Sequence, residues 1–336
     1  MPHESGAVRF LPSDALSGLA TPEEYVTAVR EGYRERGNGA PAEPRTSLFN
    51  DSPPGKLTSY LTILPEMGAM GGYMYAAGFG NRDAQFVLPL FDVESGAMKA
   101  LLDGASINPF KTGAVGAVGV DALAREDAKT VALIGSGAQA RGQLKATALV
   151  RDLESVYVYS PTKENREAFA AEFNERLDAT VAAVASSAAA VEDADIVITA
   201  TKANEPVFDG DLLSPGTHIT AMGQYHPKKR ELDATTIQRA KYVPDLRARA
   251  LSDAGSFLLA MEEGAVTEDD IYAELGEVVA GQVPGRESEE DITVFDSGGT
   301  AIETVAAAQM LYEKAVEQNL GDKMEFSPAS QALTGE

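Results

Sequence analysis

The sequence predicts an α/β fold, and three observations predict it. Between residues 59 and 103, short β-rich runs ("SYLTILPEM", "GGYMYAAG", "AQFVLPLFD", "KALLDG") are separated by turn residues, the pattern of an antiparallel sheet. From about residue 113 the texture changes, and buried apolar runs such as "KTVALI", "ESVYVY", "ADIVITAT" and "GTHITAMG" alternate with helical segments. That alternation belongs to a parallel sheet covered on both faces. Lastly, "VALIGSGAQA" carries an apolar strand straight into a glycine turn and a helix.

The remaining elements follow in order. "AVRFL" at 7–11 reads as a strand, and "SDAL" and "TPEEYVTAVREGYRERG" read as helices, with Ser13 and Thr21 as N-caps and Pro22 at a first helical position. "NGAPAEPRTSLFNDSPPGK" reads as loop because it is rich in Pro and Gly. After the β-rich runs, "GAVGAVGVDALARED" is a helix of small residues. "ITVFDSGGTAIETVAAAQMLYEKAVEQNLG" gives a strand, a turn and a long amphipathic helix, and "DKMEFSPASQALTGE" is expected to fray.

Composition excludes several functions. With no cysteine, disulfides, thiolate metal sites and a thiol nucleophile are ruled out, and three scattered histidines offer no ligand spacing, so no metal is expected. A net charge of -23 repels nucleic acid and anionic membranes. No window approaches 18 consecutive apolar residues, and "MPHESGAVRF" lacks the basic start and apolar core of a secretory signal. A cytoplasmic protein is the expectation. The acid is spread along the chain and suits a halophile's high-salt cytoplasm as a solubility feature; an acidic docking face is the alternative.

Gly135-Ser136-Gly137-Ala138-Gln139-Ala140 is a GxGxxA motif set between a strand and a helix, the context in which it signals dinucleotide binding. Gly135 permits the tight turn, Gly137 lets backbone N–H groups approach a pyrophosphate, and Ala140 allows close helix–strand packing. The next strand ends at Ser160, where an NAD site places an acid for the ribose 2′-OH. Here Ser160, Thr162 and Lys163 offer donors and no carboxylate, which favours NADP(H) over NAD(H).

Taken together, "KTGAVGAVGVDALAR", "ALIGSGAQARGQ", "VEDADIVITAT", "PGTHITAMGQYHPKKREL", "LGEVVAGQVPGR" and "ITVFDSGGTAIE" resemble the ornithine cyclodeaminase/mu-crystallin family over residues 7 to 320. The resemblance implies a homodimer whose Rossmann-like NAD(P)-binding domain, here 119–302, is inserted into an α+β substrate-binding and dimerisation domain, 1–118 with 303–336. It also implies a small amino, imino or keto acid as substrate, with hydride transfer at its nitrogen-bearing carbon. An imine reductase or amino acid dehydrogenase is the leading reading. The alternatives are a non-catalytic NADPH-binding protein and an ornithine cyclodeaminase.

By the same resemblance, Arg45 in "EPRTSLF" matches the carboxylate-binding arginine, and guanidinium holds a carboxylate bidentately. Lys111 stands where the family has an arginine, and Thr112 would contact the cofactor phosphate. The pyrophosphate would meet Gly135, Ser136, Gly137, Ala138 and Gln139. Thr199, Ala200, Thr201, Met222, Gly223, Ser297 and Gly299 would approach the rest of the cofactor. Two departures stand out: Tyr73 replaces the catalytic lysine, and Tyr225 replaces the cyclodeaminase aspartate. Tyr73 is the preferred proton donor, and Tyr225 and His226 are expected to face the nicotinamide. Lys228, Lys229 and Arg230 are expected to begin a helix facing solvent. Asp296 replaces a lysine before Ser297, and the sequence offers no reason for it.

Overall fold

The computed structural model describes residues 7–80, 84–223 and 225–325. In chain order it contains β1 (Ala7–Leu11), α1 (Ser13–Leu16), α2 (Pro22–Gly37), β2 (Thr46–Asp51), β3 (Pro54–Leu64), β4 (Ala69–Gly78), β5 (Gln85–Asp92), β6 (Met98–Asp103) and α3 (Gly104–Leu123). Then come β7 (Thr130–Ile134), α4 (Ala138–Thr147), β8 (Ser155–Tyr159), α5 (Lys163–Asn174), β9 (Thr180–Ala183), α6 (Ser187–Val191), β10 (Ile196–Thr199) and β11 (His218–Ala221). The chain continues with α7 (Ala234–Arg239), β12 (Ala240–Pro244), α8 (Arg247–Asp253), α9 (Gly255–Glu262), α10 (Leu275–Val279), β13 (Ile292–Asp296), α11 (Ala301–Glu317) and β14 (Asp322–Glu325). Two compact units result, Met1–Asn108 with Thr300–Glu336, and Pro109–Gly299. The sequence-based divisions at 118 and 303 fall inside α3 and the first turn of α11.

In the first unit the sheet order is β14-β1-β6-β5-β4-β3-β2 among the described residues, antiparallel except for the parallel pair β1–β6. Side chains alternate across the sheet. Thr58, Tyr60, Tyr73, Tyr75, Leu88 and Leu90 are buried, and α2 and α11 pack on this unit's sheet and on each other. Gly32 lets the two helices close, since a Cβ there would stand 2.9 Å from the Ala306 Cβ. Leu48, Leu57, Leu61, Ile63, Met74 and Val87 share the opposite face, by their register, and are exposed.

Several local expectations change here. Thr21 caps α2 in a full capping box with Glu24, but α1 is capped by Pro12, whose backbone is extended and whose carbonyl accepts the Ala15 and Leu16 N–H groups, so Ser13 is already helical. The Pro-rich loop hides β2 and the start of β3; Pro54 is tolerated because it is the first residue of its strand. In the tail, 322–325 pairs with β1 instead of fraying, and 326–336 lies outside the described residues.

The second unit is a parallel sheet of order β12-β13-β11-β10-β7-β8-β9. The chain builds outward from β7 to β9, then returns to place β10 on the other side of β7. This reversal is the topological switch point at which open α/β sheets bind ligands. The small-residue helix has a packing reason: a Cβ on Gly113 would meet the Gly142 carbonyl at 2.6 Å, on Gly116 the Gln143 amide at 1.8 Å, and on Gly119 the Phe295 ring at 2.4 Å. That glycine stripe lets α3 lie against α4 and β13.

At the opposite end of this sheet His218 is fully buried, with Nδ1 2.9 Å from the Thr293 hydroxyl and Nε2 3.0 Å from the Thr220 hydroxyl. Burial, then the charges of Arg286 and Arg151, push its pKa well below the usual imidazole value. The folded chain therefore keeps His218 neutral, while the unfolded chain protonates it at about 6.5. Its stabilisation is fully present above about 6.5 and is lost as pH falls below that value, by up to about 1.4 kcal/mol per pH unit. In denaturant titrations across this window, His218→Gln should lose that one-proton slope relative to wild type; identical slopes would refute the assignment.

Candidate active site

The carboxyl edge of the parallel sheet is stitched by its own backbone. Gly135 N–H donates to the Tyr159 carbonyl at 2.8 Å, Ala200 N–H to Ile134 at 2.9 Å, Met222 N–H to Thr199 at 3.1 Å and Ser297 N–H to Ala221 at 2.8 Å. The turns after β7, β8, β10, β11 and β13 thus form one continuous rim. It carries Gly135, Ser136, Gly137, Ser160, Thr162, Ala200, Thr201, Met222, Gly223, Ser297 and Gly299, with Ala138 and Gln139 opening α4 and Thr199 closing β10 beside it.

Gly135 has φ +123, and a Cβ on it would stand 2.4 Å from the Ala200 carbonyl oxygen, so only glycine fits. Gly137 is different. Its backbone is ordinary (φ -82), it precedes the first turn of α4, and a Cβ there would meet nothing within 4 Å. Space therefore lies open beside the N-terminus of α4, where an incoming pyrophosphate would need it. Ser136, Gly137 and Ala138 border this opening, and Gln139 carries a buried Oε1 with no hydrogen-bond partner among the described residues. Thr112 lies on α3 alongside the first turns of α4, its carbonyl accepting from Gln143 Nε2 at 2.6 Å. These residues fit a dinucleotide diphosphate.

Beyond β8, Ser160 is buried, and its hydroxyl lies 3.0 Å from the Ser136 hydroxyl and 3.3 Å from the Thr162 carbonyl. Thr162 is exposed at the N-cap of α5, and Lys163 is exposed and paired with Glu167 at 3.6 Å. Sequence reasoning missed two arginines here. Arg166 donates to the Ser160 carbonyl at 2.8 Å and lies over the Tyr159 ring at 5.8 Å. Arg141 donates to the Ser136 carbonyl and pairs with Glu172 at 2.9 Å. Both come from helices that follow the turns, one or two turns downstream; helical periodicity from the motif was the available signal.

The remaining rim is held by two buried acid clusters. Thr199, Thr201 and Gly223 converge on Glu231. Ser297 and Gly299 are held beside a charge cluster: Arg249, fully buried, pairs with Asp245, with Asp253 at 3.2 Å and with Asp296 at 2.6 Å. Asp296 also accepts from the Tyr242 hydroxyl at 2.7 Å, and Asp245 accepts the Gly299 N–H at 2.9 Å. This explains Asp296, because a lysine there would face a buried guanidinium.

Tyr225 and His226 lie just past β11 and are exposed. The His226 Nδ1 accepts the Lys228 N–H at 3.1 Å, so its imidazole closes a turn. The basic knot is not the start of a helix: residues 226–229 form a turn pressed against Gly255, Arg230 pairs with Glu263 at 2.7 Å, and α7 begins only after Asp233 caps it through the Thr236 N–H. The turn is fixed by α9, which sequence periodicity does not show.

In the first unit Arg45 is half-buried, with its guanidinium over the Tyr60 ring at 5.9 Å. Tyr73 is the expected proton donor. It is 1% exposed, packed edge-on against Tyr60 and tilted against Phe86, and its hydroxyl donates to the Gly104 carbonyl at 2.7 Å. Burial, reinforced by neighbouring anionic groups, raises its pKa well above the ordinary phenol value. A phenol so placed has the surroundings of a packing group. In the second unit Lys111 is 3% exposed, an uncommon burial for an ammonium.

The model of the ornithine cyclodeaminase/mu-crystallin family matches residues 22–319. A Δ1-pyrroline-2-carboxylate reductase of Bacillus cereus is 39% identical over 248 residues, covering 74% of this chain and 76% of that one. The structure of the Thermococcus litoralis Δ1-pyrroline-2-carboxylate reductase in complex with NADH and L-proline matches with a TM-score of 0.88 and 34% identity, over 94% of this chain and 100% of that one. An archaeal alanine dehydrogenase dimer with bound NAD matches with a TM-score of 0.89 and 30% identity, over 96% and 100%.

The two glycines of the motif should separate by experiment. Gly135→Ala should destabilise the fold by about 2 kcal/mol or more, through left-handed strain and the Ala200 contact. Gly137→Ala should keep wild-type thermal stability and weaken NADPH binding, measured by nicotinamide fluorescence. Full affinity in Gly137→Ala would show that no diphosphate approaches this corner.

Proposed function

Since the chain belongs to the ornithine cyclodeaminase/mu-crystallin family, we propose that this nicotinamide-dependent oxidoreductase reduces a cyclic 2-imino acid of the Δ1-pyrroline-2-carboxylate type to the amino acid. The observation that carries the reading is the open corner at Gly137, on the carboxyl edge beside the switch point. The likeness to a reductase holding NADH and L-proline supports the substrate class.

A bound reduced nicotinamide supplies a hydride to the imine carbon. The chain's own groups bind and orient. Arg45 holds the substrate carboxylate, with its guanidinium kept in place over Tyr60. A cyclic imine is basic enough to carry its own proton near neutral pH, so reduction needs no dedicated acid where the family lysine is replaced by the buried Tyr73. Tyr225 and His226, exposed beyond β11, border the nicotinamide side. The preference is for NADP(H) over NAD(H): Ser160, Thr162 and Lys163 present no carboxylate to a 2′-phosphate, and Arg166 adds a guanidinium to the same turn. The bare apolar face of the first unit, Leu48, Leu57, Leu61, Ile63, Met74 and Val87, is the surface of a homodimer; the likeness to an alanine dehydrogenase that is a dimer supports dimerisation itself.

The test is loss of reduced-nicotinamide absorbance with Δ1-pyrroline-2-carboxylate and either cofactor. Proline should form in equal amount, faster with NADPH, and Arg166→Ala should narrow that difference. Arg45→Ala should raise KM about tenfold or more, the loss of a charged hydrogen bond. Tyr73→Phe should cost about 1 kcal/mol of stability and keep turnover. Tight NADPH binding without oxidation by any imino or keto acid would select a non-catalytic binding protein, a reading favoured by the missing lysine.

The oligomer is tested by sedimentation. Wild type should be a dimer at micromolar concentration, and the double variant Leu57→Glu/Leu61→Glu a folded monomer. A monomeric wild type would remove the proposed interface.

A further inference from the structure

Glu231 lies in the turn before α7, yet its side chain is 1% exposed. Its Oε1 accepts the Thr201 N–H at 2.7 Å and the Thr201 hydroxyl at 2.6 Å. Its Oε2 accepts the Gly223 N–H at 2.7 Å and the Thr199 hydroxyl at 3.0 Å. The Glu231 main chain is anchored on either side, its carbonyl accepting the Val207 N–H at 2.8 Å and the following Leu232 N–H donating to the Ser256 hydroxyl at 3.3 Å. The carboxylate is thus aimed from a fixed backbone at two loops from different strands, β10 and β11.

Chemistry makes the residue type exacting. A carboxylate has two oxygens that only accept, and each here faces a backbone N–H. A glutamine would turn its amide nitrogen toward one of those N–H groups and leave that buried donor without a partner. An aspartate would fall short by one methylene. Gly223 completes the arrangement, since a Cβ there would stand 2.4 Å from Glu231 Oε1. Burial raises the carboxyl's pKa, and its four hydrogen bonds oppose that rise.

The position of the clamped loops gives the clamp a function. The adenosine half of a dinucleotide lies toward β8, on one side of the β7 turn, so the nicotinamide half extends over β10 and β11 on the other. We propose that Glu231 is a positioning residue, holding Thr199–Thr201 and Met222–Gly223 in the arrangement that receives the nicotinamide half of the coenzyme without touching it. The inference rests on the dinucleotide reading of the site.

The coenzyme without its nicotinamide separates the two: 2′-phospho-ADP-ribose is compared with NADPH, and ADP-ribose with NADH. Wild type should bind both members of at least one pair in titration calorimetry, and that ADP-ribose form is the one compared below. Glu231→Gln should keep ADP-ribose affinity near wild type and weaken the reduced dinucleotide about tenfold or more, matching the cost of a stranded buried donor. Unchanged affinity for both ligands, or an equal loss for both, would overturn the positioning role. If wild type binds no member of either pair, the dinucleotide reading is overturned instead. If Glu231→Gln does not fold, Thr201→Val, which removes the hydroxyl donor and keeps the backbone bond, should show a smaller loss confined to the dinucleotide; equal losses would again overturn the role.

Discussion

The second unit depends on the approach of the β7–α4 turn to the end of β10. Gly135 passes so near the Ala200 carbonyl that no Cβ fits between them. Two neighbouring parallel strands can therefore end at one level, and the turn opens toward solvent at Gly137. A parallel sheet exposes no side-chain pattern of its own at its carboxyl edge. What it offers is backbone donors and short turns, and their usefulness depends on how rigidly they are held.

Rigidity here comes from buried acids. Glu231 gathers the loops after β10 and β11, and Asp245 and Asp296, neutralised in part by Arg249, gather the loop after β13. Burying such charge is costly unless every oxygen finds a donor. Four donors around Glu231, and a guanidinium with a tyrosine hydroxyl around Asp296, meet that demand. The excess surface acid of the chain has no part in this; the acids that shape the rim are few and buried.

The first unit is organised differently. One face of its sheet is sealed by α2 and α11, which close on each other through Gly32, and the aromatic cluster of Tyr60, Tyr73 and Phe86 fills the space beneath. Tyr73 belongs to that cluster, and its hydroxyl donates to the Gly104 carbonyl. The other face keeps aliphatic side chains in water, an arrangement a monomeric sheet does not need.

Some of this was legible in the residues and some was not. Thr21 capping α2 and the GxGxxA corner were readable because each acts through neighbours within a few positions, where sequence spacing is distance. The glycine stripe of α3 was readable as a helix of small residues, but not as the partner of α4 and Phe295. The strand at 46–51 was hidden by its prolines, and the turn at 226–230 by its helix-like charge. Arg166 behind Ser160, the hydroxyl of Tyr73 on Gly104, and the pairing of Asp296 with Arg249 join residues from 6 to 47 positions apart. The sequence alone determined the alternation of elements and the glycine turn between β7 and α4, because those arise from local backbone preference. The tertiary structure alone decided which charged and phenolic groups face solvent and which are consumed in holding the rim, because burial and partners are set by distant segments meeting.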